Sequence, residues 1–107
     1  MPASTVIVLT TLPADADALA FGRVLIEEHL AACVSVIGSL HSVYRWKDAI
    51  DDAREQQLLI KTDASVVEAL ERRLATLHPY DVPEFLVLDV SGGGEAYLRW
   101  VRQSIAD

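Results

Sequence analysis

The stretch from Ala32 to Trp46, ACVSVIGSLHSVYRW, reads as one unusually long β-strand, rich in Val, Ile, Tyr and Trp. At about 3.3 Å per residue it would span about 50 Å. A 107-residue chain is expected to have a radius of gyration near 13 Å and a width of about 34 Å. The strand must therefore bend sharply, with Gly38 as the candidate bend or bulge, or project beyond its own core. A projecting hairpin carrying Val43, Tyr44 and Trp46 would expose apolar surface and unpaired strand edges, which soluble proteins cover. Pairing with further copies of the chain in a closed ring is the economical solution.

Composition points the same way. Hydrophobic residues make up 51% of the chain, yet no uninterrupted apolar run exceeds the five residues Leu30 to Val34. Both a disordered chain and a membrane-spanning helix are excluded. One domain, residues 1–107, is expected. A chain of this size buries only about 65% of its surface, so a mean hydropathy of +0.25 leaves an apolar surplus suited to contacts between subunits. With 9 Lys+Arg against 16 Asp+Glu the net charge is −7, which disfavours nucleic acid and anionic membrane surfaces as partners. The lone Cys33 cannot form an internal disulfide, and Met1-Pro2-Ala3-Ser4-Thr5 lacks the charged and apolar regions of a signal peptide. The expected compartment is the cytoplasm.

Thr5 to Thr10 (TVIVLT) reads as a central strand. Pro13, Asp15 and Asp17 suit a helix start, and Ala18, Phe21, Gly22, Leu25 and Ile26 form one helical face. After the long strand, Lys47 to Asp52 reads as a polar reversal and Ala53 to Thr62 as the returning strand. Ser65 and Glu68 match a capping box for a helix that Pro79 stops. Glu84 to Val90 reads as a fourth strand, Gly92 to Gly94 as a turn, and the residues around Trp100 as a short amphipathic helix. The order βαββαβ plus a terminal helix, with right-handed crossovers, predicts an α+β ferredoxin-like sandwich with an extended central hairpin.

Few residues could carry chemistry. Cys33 is either a small buried hydrophobe or a thiolate for a soft ion such as copper. His29, His41 and His78 lack metal-ligand spacing. His78 is placed either to satisfy helix-terminal carbonyls or to contact a ligand. Asp48, Asp51, Asp52 and Glu55 read as a solvated hairpin face without an ion-binding loop pattern. In His78-Pro79-Tyr80-Asp81-Val82-Pro83-Glu84 the prolines explain a helix stop and strand entry, but the polar content fits a rigid binding surface equally well.

Ala31-Ala32-Cys33-Val34-Ser35-Val36, Ser42-Val43-Tyr44-Arg45-Trp46, Leu58-Leu59-Ile60-Lys61-Thr62, His78 to Glu84 and Tyr97-Leu98-Arg99-Trp100 together resemble the CutA family of divalent-cation tolerance proteins across nearly the whole chain. The resemblance implies a ferredoxin-like subunit in a homotrimer, similar in architecture to PII signalling proteins, cytoplasmic and linked to tolerance of copper and other divalent cations. Family copper ligands are a cysteine at the end of the first strand and two histidines running into the HPY segment. Here those positions hold Thr10, Leu77 and His78. A hydroxyl and an alkyl chain do not replace a thiolate and an imidazole for copper, so a metal contact would use His78 with Cys33 or with residues of another subunit.

Three function classes follow: a non-catalytic trimeric metal-response protein, a sensor or interaction module with an intersubunit cleft formed by Tyr44, Trp46, Lys61, Tyr80 and Glu84, or a small enzyme. Enzymatic activity is not expected. The chain has no Asn to position water as an acylphosphatase would, and a Cys33-His nucleophile pair is the remaining possibility. No cofactor is assigned by the residues alone, and copper or another divalent cation is the candidate.

Overall fold

The structure, a computed structural model, describes residues 4–106; Met1, Pro2 and Ala3, on which the expectation about a signal peptide partly rests, lie outside the described residues. The elements are β1 (Thr5–Pro13), α1 (Ala18–Glu27), β2 (Cys33–Trp46), β3 (Ala49–Asp63), a 3-10 turn (Ala64–Val66), α2 (Val67–Leu77), β4 (Leu86–Asp89) and α3 (Glu95–Ile105). The strands form one antiparallel sheet in the order β2-β3-β1-β4. This is the expected ferredoxin-like arrangement.

The core lies between one face of the sheet and the two crossover helices. Val6, Val8 and Leu12 of β1 and Leu58 and Ile60 of β3 meet Phe21 and Leu25 of α1 and Leu70 and Leu74 of α2, all buried. The close seam between α1 and β2 needs Gly22, because a Cβ there would sit 3.2 Å from the Val34 side chain. Helix α3 packs on β3 and β1 through Val101, fully buried yet outside that main cluster.

Helix ends differ from expectation. Pro13 completes β1 instead of opening a helix; Asp17 caps α1 by accepting from the Ala20 N–H at 3.0 Å. Beyond the C-cap Glu28, His29 adopts φ 59°, and the His29 and Leu30 N–H groups donate back to Ile26 and Leu25 carbonyls. This closure usually employs glycine. The Ser65/Glu68 capping box does not form. Asp63 instead accepts from the Ser65 N–H and hydroxyl at 3.0 and 2.6 Å, starting the 3-10 turn, while α2 begins with no side-chain cap.

The long strand takes both options open to it. A bulge falls between Ile37 and Leu40, where Ile37 pairs with Gln57 and Leu40 with Glu55, leaving one extra residue on β2. The positive φ belongs to Ser39 (55°) and not to Gly38. Beyond the bulge the hairpin still projects, and the molecule measures 45 × 26 × 23 Å. The reversal is tighter than the six residues expected: Trp46 pairs with Ala49 across Lys47 and Asp48, at φ 49° and 64°. Both central residues are left-handed, as a type I′ turn requires. β3 accordingly starts at Ala49 rather than Ala53, and β4 is shortened to four residues.

Candidate functional site

An open cleft of about 740 Å³ lies where the root of the projecting hairpin meets the segment after α2; Tyr44, Trp46, Glu55, Tyr80, Asp81 and Glu84 all contribute to its lining. The bulge delivers the β2 residues to it. Directly paired antiparallel residues share a sheet face, and the extra residue puts Ser42, Tyr44 and Trp46, paired with Ala53, Asp51 and Ala49, on the Glu55 side.

The segment His78 to Glu84 is held from both sides. His78, 7% exposed, donates from Nε2 to the Thr11 carbonyl at 2.6 Å and accepts at Nδ1 from the Tyr80 N–H at 3.1 Å. Its ring lies edge-on to Phe21 and tilted against Tyr80, at centroid distances of 6.2 and 4.9 Å. The Tyr80 hydroxyl donates to Glu55 Oε2 at 2.8 Å. Gln57 Nε2 ties the far end by donating to Glu84 Oε2 at 3.0 Å and the Thr10 carbonyl at 2.8 Å. Burial, the Glu55 hydrogen bond and the Glu55 charge push the Tyr80 hydroxyl well above the ordinary phenol value. Tyr44 is raised too, by burial and then by the charges of Asp51, Glu55 and Asp52.

Of the residues singled out from sequence, Tyr44, Trp46, Tyr80 and Glu84 line this cleft and Lys61 does not. Lys61 pairs with Cys33, six residues along β3 from Glu55, and donates to Ser35 Oγ at 2.7 Å and to half-buried Cys33 Sγ at 3.8 Å. His78 serves the fold through the Thr11 carbonyl, not through the end of its own helix. Glu55 is the residue missed. In sequence it joins the aspartates of the hairpin, yet it is only 6% exposed, whereas Asp48, Asp51 and Asp52 are on the surface. Its signal was the change along Glu55-Gln56-Gln57-Leu58 from a polar to an apolar strand.

The residues do not fit a resident copper ion. Both His78 nitrogens are engaged, Thr10 is fully buried with an unpartnered hydroxyl, and Leu77 packs on the core. Among the described residues no three His, Cys, Asp or Glu side chains converge to hold an ion. No helix among them is long and apolar enough to cross a membrane.

Residues 6–104 match the family model of the CutA1 divalent ion tolerance protein. The chain is 44% identical over 100 residues to the divalent-cation tolerance protein CutA of Pectobacterium atrosepticum, covering 94% of this chain and 91% of that one. The crystal structure of CutA from Xylella fastidiosa superposes with a TM-score of 0.91 at 42% identity, covering 95% of this chain and 98% of that one. A chloroplastic relative, Protein CutA of Arabidopsis thaliana, is 34% identical over 94% of this chain and 55% of its own length, so relatives are not confined to one compartment.

Proposed function

We propose, from the premise that this chain belongs to the CutA1 divalent ion tolerance family, that it is a non-catalytic homotrimer acting in the response to copper and other divalent cations in the cytoplasm. The family match over residues 6–104 carries the tolerance role. The projecting hairpin supports assembly, because Val43 and Ile50 are 73% and 72% exposed on it, and the edge strand β4 is exposed throughout. Sedimentation equilibrium is expected to give three times the chain mass; a monomer at micromolar concentration overturns the trimer.

Metal contact is weak in this reading. An ion at His78 must take the ring from the Thr11 carbonyl or the Tyr80 N–H, and Cys33 can join only from another chain. The net charge of −7 attracts cations without selecting among them. Titration calorimetry with Cu(II) and Zn(II) is expected to show weak heats that His78→Ala removes. Equal, negligible heats for both proteins overturn the contact.

The cleft supports a second reading, a small-molecule sensor of PII-like type or a protein-interaction module. Its volume falls within the range of small-molecule sites, roughly 300–1,000 Å³. A ligand specific for the folded state raises the melting temperature, so a thermal-shift screen tests it.

A further inference from the structure

We infer that the cleft takes an organic cation bearing more than one ammonium group, anchored on the Glu55 carboxylate. This rests on reading the cleft as a ligand site and adds the class of ligand.

The lining is electrically one-sided. Glu55, Asp81 and Glu84 contribute three carboxylates, Tyr44, Trp46 and Tyr80 contribute three aromatic rings, and no Lys, Arg or His belongs to it. A carboxylate as deeply placed as Glu55 ordinarily has a cationic partner, since an unpaired buried charge is costly. Here it has none: the ion pairs among the described residues are Arg73 with Glu28 and Arg99 with Glu95. Glu55 Oε2 receives the Tyr80 hydroxyl, while Oε1 receives no donor and is not among the enclosed unpartnered atoms, so its lone pairs open onto the cleft. The charge balance lacking in the protein is what a bound cation supplies.

The chemistry of the walls selects an organic cation over an inorganic one. A divalent metal needs several oxygen ligands converging at fixed distances, and no three such side chains converge among the described residues. An ammonium group needs one or two acceptors and is further stabilised over an aromatic face, which Tyr44 and Tyr80 provide, the Trp46 ring already carrying the Lys47 ammonium 5.9 Å from its centroid. Glu55 stands on β3 whereas Asp81 and Glu84 stand on the segment after α2, and Gln57 fixes Glu84. Carboxylates on two separate elements suit a chain with ammonium groups at a distance from one another. Pro79 and Pro83 stiffen the wall, limiting the ordering cost of binding.

Spermidine, triacetylspermidine and magnesium chloride, titrated calorimetrically at constant ionic strength into the full chain in its native assembly, test this. One saturable spermidine site per chain is expected, weakened about tenfold or more by Glu55→Gln, with triacetylspermidine silent and magnesium unable to compete. Circular dichroism checks folding of the variant. Should Glu55→Gln misfold, Glu84→Gln replaces it, with a loss of at least threefold expected; an unchanged affinity in whichever variant folds overturns the anchor. Triacetylspermidine binding as tightly as spermidine overturns the cation class while the ligand cleft stands. Magnesium displacing spermidine reduces the effect to the general field and overturns it. Silence from all three overturns the cation class and the ligand cleft together, as it would if a basic side chain of a neighbouring copy filled the cleft.

Discussion

The two halves of the β2–β3 hairpin share one backbone ladder and little else. Near its root, Val34 and Val36 pair with Ile60 and Leu58, and the pairs pack on the helices within the main core. Past the bulge, Val43, Tyr44 and Trp46 are exposed opposite Asp52, Asp51 and Ala49. Hydrogen bonding is equal in kind along both halves, so the difference lies in what covers the side chains. The root is finished within one chain, whereas the distal half presents surface that a partner copy would complete.

The comparison can be broken at several strengths. The largest effect is expected at the root, where Ile60→Ala removes a fully buried side chain and should cost about 2–5 kcal/mol in urea unfolding. Val43→Asp, on the distal half, should leave the secondary structure intact and weaken assembly about tenfold or more, an expectation from placing a charge in a desolvated contact; sedimentation reads it, and an unchanged trimer would detach the hairpin from assembly. Between the halves, Tyr80→Phe leaves Glu55 Oε2 without its donor and should cost about 1–3 kcal/mol. The raised Tyr80 value carries its own sign. The folded state holds this proton more tightly than the unfolded chain, so its contribution is complete below about pH 10 and is lost as the pH climbs through the higher folded value. Unfolding across alkaline pH should show a steeper loss of stability in the native protein than in Tyr80→Phe. The smallest effect belongs to the tip, where Asp48→Gly relieves a left-handed residue at φ 64° and should add about 0.5–1 kcal/mol; a loss there would show that Asp48 has another role.

Element order and the main core were legible because periodicity and β-branched runs are local signals: Leu25, Leu70 and Leu74 fall where helical spacing puts them. What escaped was decided by competition between neighbours. Ser65 could have capped α2 by accepting from the Glu68 N–H, but its hydroxyl turns back to donate to the Asp63 carboxylate. Lys47 and Asp48 reverse the chain without the Asn-Gly signature of such turns. The cleft was legible in Tyr44, Trp46, Tyr80 and Glu84, since aromatic and acidic residues beside prolines already suggest a presented surface. Glu55 was not, because its burial depends on Tyr80, 25 residues away. Lys61, expected at a cleft between subunits, lies outside the cleft within one chain for a geometric reason: it shares a strand face with Glu55 but stands six residues further along β3.

The single extra residue at Ser39 makes the bulge a place where β2 can change length without changing which side chains face the cleft. Removing Ser39 would let Gly38 pair straight with Gln56 while Leu40 stays opposite Glu55, Tyr44 opposite Asp51 and Trp46 opposite Ala49, so every side chain beyond it keeps its face. A one-codon deletion at Ser39 would thereby keep the aromatic wall, whereas deleting His41, beyond the bulge, would turn the later side chains over and send Val43 and Arg45 toward Glu55 and Tyr44 and Trp46 away. Trp46 fluorescence would separate the two, unshifted without Ser39 and red-shifted on leaving the cleft without His41, and an unshifted spectrum in both would show that the strand restores its register elsewhere.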